Sequence, residues 1–133
     1  MALVHHDLCF GCGQTNVFGL MVEADRSDGE SVAGRCFVKQ DHQGPDRASA
    51  HDGVLAAALC EAMALACGPG ARAESLEVEL IGAAPVGTFL ELTATPGPRS
   101  GDHAEAIASA ASEDRVVATA RGRFRIARRS PAV

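Results

Sequence analysis

Along most of the chain apolar and polar residues alternate, and in one place they stop doing so. From Val54 to Cys67 every residue is apolar except Glu61. A run of this length, rich in Ala and Leu, predicts a helix over 53–67. Being apolar on every side, it must be enclosed by protein. Gly68-Pro69-Gly70 ends it. Two strands are expected before the helix, over 19–25 and 30–38, separated by the turn residues Arg26-Ser27-Asp28-Gly29. Ser75–Ile81 alternates with period two, and strand-like runs follow at 87–94, 103–111 and 115–126. Pro96-Gly97-Pro98 with Ser100-Gly101-Asp102, and then Ser112-Glu113-Asp114, are the expected breaks between them. The Ala-rich run from His103 suits a helix equally well by propensity, and is assigned as a strand because its neighbours form a meander. Residues 1–17 read as an irregular arm.

The order β-β-α-β-β-β-β is an α+β pattern, one helix packed on an antiparallel sheet in a single domain over 1–133. A single sheet covers such a helix on one side only. A second copy is therefore expected to cover the rest, giving a homodimer or a dimer of dimers.

A polar loop, Asp41 to Gly53, runs straight into the helix. A helix start offers unpaired N–H groups and the positive end of a dipole, which suit a carbonyl oxygen that gains charge. A carboxylate inside an apolar helix is expected to have its pKa raised by desolvation, and this makes Glu61 a candidate base.

Composition narrows the classes. A net charge of −5 argues against general nucleic-acid binding, and five Phe with no Trp or Tyr offer few stacking platforms. No apolar run is long enough to span a bilayer, and no secretory signal is visible at the N-terminus. Five cysteines, an odd number, are simplest as reduced thiols, so a cytoplasmic protein is expected. Cys9-x-x-Cys12 with His5 and His6 invites a zinc reading, but one such pair without a second falls short of four ligands. No metal and no cofactor are expected. Five arginines crowd into Arg121–Arg129, and Arg121, Arg123 and Arg125 share one strand face. A solvated face is the plain account; a phosphate contact by Arg123 is the sharper one.

Three motifs in order resemble the hot-dog fold acyl-CoA thioesterases of the phenylacetate-pathway and 4-hydroxybenzoyl-CoA thioesterase-like type. An arm of the form C-F-x-C-G-x-x-N-P-x-G-L stands here as Cys9 to Leu20, with Val17 in place of proline. An H-Q-G loop is matched by His42-Gln43-Gly44, and an H-G-G helix start by His51-Asp52-Gly53. The resemblance covers roughly Cys9 to Phe124. It implies a sheet wrapped around a central helix, paired subunits, and acyl-CoA or acyl-carrier thioester sites at the interface. In the family the first glycine of H-G-G presents its N–H to the thioester carbonyl, and an Asp or Glu eight residues later attacks or activates water. Those positions here are Asp52 and Cys60, and both depart from the pattern.

Thioester hydrolysis is therefore the first expectation, with Glu61 as base or nucleophile and Asp52 as the competing acid. Asp52 and Gly53 would polarise the carbonyl, Gln43 and His51 would position water or substrate, and Cys60 and Gly44 would line the pocket. Each has a plainer reading: Glu61 paired with an arginine, Asp52 an N-cap, His51 a capping residue, Cys60 a small core residue. Two rivals remain. Asp46 and His51 have the D-x4-H spacing of the hot-dog enoyl hydratases, though the Asn-Pro between them is missing. A non-hydrolytic acyl-thioester-binding protein is the other.

Overall fold

The computed structural model describes residues 2–126. In chain order the elements are β1 (Glu23–Arg26), β2 (Val32–Phe37), a 3-10 turn (Gln40–His42), α1 (Asp52–Cys67), β3 (Ala71–Leu80), β4 (Phe89–Ser100), β5 (His103–Ser112) and β6 (Arg115–Ile126). The strands form one six-stranded sheet in the order β1-β2-β4-β5-β6-β3, with every neighbouring pair antiparallel. The expected order β-β-α-β-β-β-β is the one found.

α1 lies across one face of the sheet and touches all six strands. Period-two alternation supplies the floor beneath it: Leu90, Leu92 and Ala94 of β4, and Ala104, Ala106, Ala108 and Ala110 of β5, all buried. The alanines keep that floor low, so the helix sits close to it. Leu55, Leu59 and Met63 of α1 are fully buried there, as is Phe124 of β6. Each such side chain contributes roughly 1.5–3 kcal/mol through burial. Along the rest of α1, Val54, Ala57, Cys60 and Glu61 are only half-buried. The helix is thus apolar beyond what its own sheet covers.

Beyond the glycine stop, two arginines close the helix. Gly68 takes φ 120°, Arg26 donates to the carbonyls of Leu65 (3.3 Å) and Ala66 (3.0 Å), and Arg99 donates to that of Cys67 (3.0 Å). Cations at this end oppose the negative pole of the helix dipole and satisfy its orphan carbonyls.

Two expectations need correction. Pro96-Gly97-Pro98 does not end β4; the strand runs on to Ser100 through a register shift between Pro96 and Arg99. A bulge is one of the few places where a sheet accepts proline, since the missing N–H falls outside the ladder. The first strand is also shorter than expected. Leu20 and Val22 donate to Phe10 and Gly11 of the arm (both 2.8 Å), so 19–22 pairs with the arm rather than with β2.

Candidate functional site at the start of the central helix

The loop before α1 is a small hairpin. Gly44 N–H donates to Ser49 (3.0 Å), His51 N–H donates to His42 (2.7 Å), and Gln43 stands opposite Ala50. A Cβ on Gly44 would sit 2.9 Å from His51 Cα, so only glycine lets the two arms lie this close. Asp46 closes the turn: its carboxylate accepts from Ala48 N–H and the Ser49 hydroxyl, both at 3.0 Å. Those two bonds hold its carboxyl below the usual Asp value. Ala50 N–H to Ala84 and Val86 N–H to Ala48 (both 2.8 Å) fix the hairpin against the segment leading into β4. His42 is buried, and burial pushes its pKa down. Its Nδ1 accepts from Lys39 N–H (3.1 Å), so it braces the loop as a neutral ring.

At the helix start, His51 is the N-cap, and its Nδ1 accepts from Gly53 N–H at 2.8 Å. In the neutral ring this leaves the proton on Nε2. Val54 and Leu55 N–H both go to the His51 carbonyl. Asp52 N–H has no hydrogen-bond partner among the described residues, and Asp52 itself is exposed. Two site expectations change accordingly. The Gly53 N–H is already engaged by the cap, so it is not free for a ligand. Asp52 is the first helical residue and not the N-cap; His51 takes that role. Gln43, His51 and Asp52 are all solvent-exposed.

Glu61 is turned elsewhere. Its Oε2 lies 2.9 Å from His5 Nδ1 and 3.6 Å from Cys9 Sγ. Cys12 Sγ stands 3.4 Å from the same His5 nitrogen, so the arm closes over the carboxylate. Burial is the largest single influence on Glu61 and acts upward, as the sequence suggested. His5, Cys12 and Cys9 together outweigh it, and the carboxyl lies below its ordinary value. The same pairing lifts His5 to about 9. The expected raised pKa of Glu61 is therefore corrected: the compensating groups come from a segment far away in sequence. It also lies nine positions along the helix from Asp52, about 13.5 Å along the axis. Cys60 beside it is half-buried, and burial pushes its thiol up, which leaves it unactivated.

Arg123 lies on the sheet face opposite α1, 3.6 Å from Glu74, which His103 also meets at 2.9 Å. Arg121 pairs with Glu77 (2.7 Å) on the same outer face. These side chains do not converge with the helix start; Arg128 and Arg129 lie outside the described residues. What the sequence reading missed is the meeting of arm and helix. The signal was present in two halves, a carboxylate alone in an apolar helix and a His/Cys arm short of one ligand.

No protein-family model matches the chain, and no curated protein matches it. Solved structures do. A crystal structure of a thioesterase superfamily protein matches with TM-score 0.81 at 21% identity, covering 90% of this chain and 60% of that one. The chain thus spans about three fifths of that protein's length. The E. coli PaaI protein of the phenylacetic acid degradation operon matches with TM-score 0.73 at 19% identity, covering 82% of this chain and 81% of that one. Zebra fish thioesterase superfamily member 2 matches with TM-score 0.72 at 17% identity, with coverage of 85% and 86%. At these identities the likeness is one of fold, and the chain has the hot-dog fold of the thioesterase superfamily structures.

Proposed function

We propose that the protein hydrolyses acyl thioesters of CoA or of an acyl carrier, using water and acting as a homodimer or dimer of dimers. The observation that carries this reading is the unpartnered N–H of Asp52 at the start of an enclosed helix. A thioester carbonyl placed there would find a donor and the positive pole of the helix as its oxygen gains charge. The Asp52 carboxylate, on the same exposed turn, then takes a proton from water. The water oxygen bonds to the acyl carbon, the C–S bond breaks, and the departing thiolate takes up a proton to leave acid and free thiol. Gln43 and the Nε2–H of His51 flank that position and orient the water or the thioester. With Glu61 held by the arm, Asp52 becomes the first candidate for the acid and Glu61 the second.

A second copy completes the site. All three polar residues are exposed in one chain, whereas this chemistry gains from water exclusion. β3 is one of the two edge strands of the sheet and bears exposed Leu76 and Leu80, followed by Ile81. An unpaired strand edge of this length, carrying these apolar side chains among Arg72, Glu74, Glu77 and Glu79, invites pairing with its like. No helix among the described residues is long and apolar enough to cross a membrane. An odd set of five thiols suits a reducing cytoplasm, the proposed compartment.

The enoyl-hydratase reading is weaker, because the Asp46 carboxylate is committed to the loop turn. A thiol-release screen over short, long and aromatic acyl-CoAs tests the proposal, with enoyl-thioester absorbance followed in parallel. Release of free thiol with one acyl class supports it. Loss of enoyl absorbance without thiol release would establish the hydratase instead, and saturable binding with neither change would establish a non-hydrolytic binder.

A further inference from the structure

Four side chains outside the helix start meet at one point: His5, Cys9 and Cys12 from the arm and Glu61 from α1. One ligand atom from each lies within 4.8 Å of all the others. The measured edges are 2.9 Å (His5 Nδ1 to Glu61 Oε2), 3.4 Å (His5 Nδ1 to Cys12 Sγ) and 3.6 Å (Cys9 Sγ to both His5 Nδ1 and Glu61 Oε2). Bond lengths of about 2.3 Å to sulfur and 2.0–2.2 Å to nitrogen or oxygen give tetrahedral edges of roughly 3.3–3.8 Å. These four of the six edges lie within a few tenths of an ångström of that range, and the other two are under 4.8 Å.

The arm is also shaped to hold these atoms. A Cβ on Gly11 would fall 2.3 Å from Glu61 Cδ, and one on Gly13 would fall 2.3 Å from the Asp7 carbonyl oxygen. The glycines of Cys9-Phe10-Gly11-Cys12-Gly13 thus let the chain wrap tightly around the carboxylate. Backbone N–H groups of Gly11 and Cys12 point to the Cys9 sulfur, and His5 N–H donates to Cys12 Sγ at 3.1 Å. His6, next in sequence, stays outside the cluster and accepts from Leu8 N–H.

We propose that His5, Cys9, Cys12 and Glu61 form a structural zinc site that fastens the N-terminal arm to the central helix. With the ion displacing the proton of His5 and those of the thiols, two thiolates, one carboxylate and one imidazole suit Zn²⁺ in preference to Mg²⁺ or Ca²⁺, which take oxygen ligands. All four tetrahedral positions are filled by protein, and a closed set of this kind is structural, with no open position for water or substrate. The single C-x-x-C is not short of ligands, because the fold brings His5 and Glu61 to it. This inference does not rest on the hydrolase reading. It assigns Glu61, the carboxylate inside α1, to a metal, whatever reaction the helix start carries.

The test uses the untagged full chain, prepared under reducing conditions, stripped with a chelator and titrated with Zn²⁺ and with Co²⁺. The expected result is saturation at one metal per chain. The Co²⁺ form should show tetrahedral d–d bands and a thiolate-to-cobalt charge-transfer band. Cys9→Ser and Cys12→Ser should each lose about half the intensity of that band, one of two thiolates being removed, and bind at least tenfold more weakly, while Glu61→Gln weakens binding and keeps the full band. Cys36→Ser, at a buried thiol outside the cluster, should leave both unchanged. Folded wild-type protein that takes up no stoichiometric metal would overturn the proposal, without reference to any variant. So would a cobalt spectrum lacking thiolate charge transfer, or unchanged binding after Cys12→Ser.

Discussion

Replacing Asp52 by proline removes one hydrogen from the backbone at the point where the thioester carbonyl is proposed to sit. The fold should hardly notice. Proline is favoured at the first helical position, where its missing N–H has no intrahelical partner and its fixed φ suits the helix. The residue before it must be extended, and His51 already is, at φ −60° and ψ 143°. Where the native backbone fits, such a substitution stabilises by about 0.4–1 kcal/mol. The reference is Asp52→Ala, which keeps the N–H and removes only the carboxylate. Loss of a general base costs about 10²–10⁴-fold in rate, and this is the expected deficit of Asp52→Ala. Loss of one oxyanion donor costs a further ~10²–10³-fold, or about 2.7–4 kcal/mol, the expected gap between the proline and alanine variants. Single-turnover thiol release gives both numbers, and thermal unfolding checks that the helix start is intact. Equal rates for the two variants at unchanged melting temperature would refute the role of the Asp52 N–H. Full activity in Asp52→Ala would remove its carboxylate from the mechanism.

Three further outcomes follow from the same geometry. Gly44→Ala would put a methyl group 2.9 Å from His51 Cα; overpacking of this kind costs about 1–3 kcal/mol, so turnover and denaturant midpoint should both fall. Cys60→Ala should leave turnover unchanged in the thiol-release assay, because burial keeps this thiol protonated; abolished turnover would point to a thiol mechanism instead. Light scattering at micromolar concentration should give at least a dimer, because burying the β3 edge and the uncovered flank of α1 yields roughly 25 cal/mol per Å²; a stable monomer would contradict this.

The fold was legible wherever the hydrophobic period was strong. Val54–Cys67 reads as a helix enclosed by protein, and the run 115–126 has the bounds of β6, alternating from Thr119 onward after the irregular pairing of its first residues. β5 was readable only through its neighbours, since its alanines carry no strong preference of their own. The continuation of β4 through Pro96-Gly97-Pro98 was not readable, because whether a proline breaks a strand depends on the register of the partner strand. The site divided along the same line. The hairpin, the capping histidine and the donor at Asp52 are local, and a contiguous motif reports them. The state of Glu61 is not local. Cys9 is 52 residues away along the chain, and only the folded arm brings it and His5 against the carboxylate. Desolvation can be judged from one helix, but the charges and donors that reverse its effect cannot. Arg123 shows the converse: strand alternation alone put Arg121, Arg123 and Arg125 on one solvated face, and they are exposed there, opposite buried Phe124.

The most direct test of the account is a crystal structure with a non-hydrolysable acyl-CoA analogue, a ketone in which methylene replaces the thioester sulfur. The account predicts the analogue's carbonyl oxygen about 2.7–3.1 Å from the Asp52 nitrogen, the distance of an effective oxyanion donor. Gln43 and His51 should stand beside the carbonyl carbon, with a second copy of the chain closing the site. An analogue bound with its carbonyl elsewhere, and the Asp52 N–H left facing solvent, would contradict it.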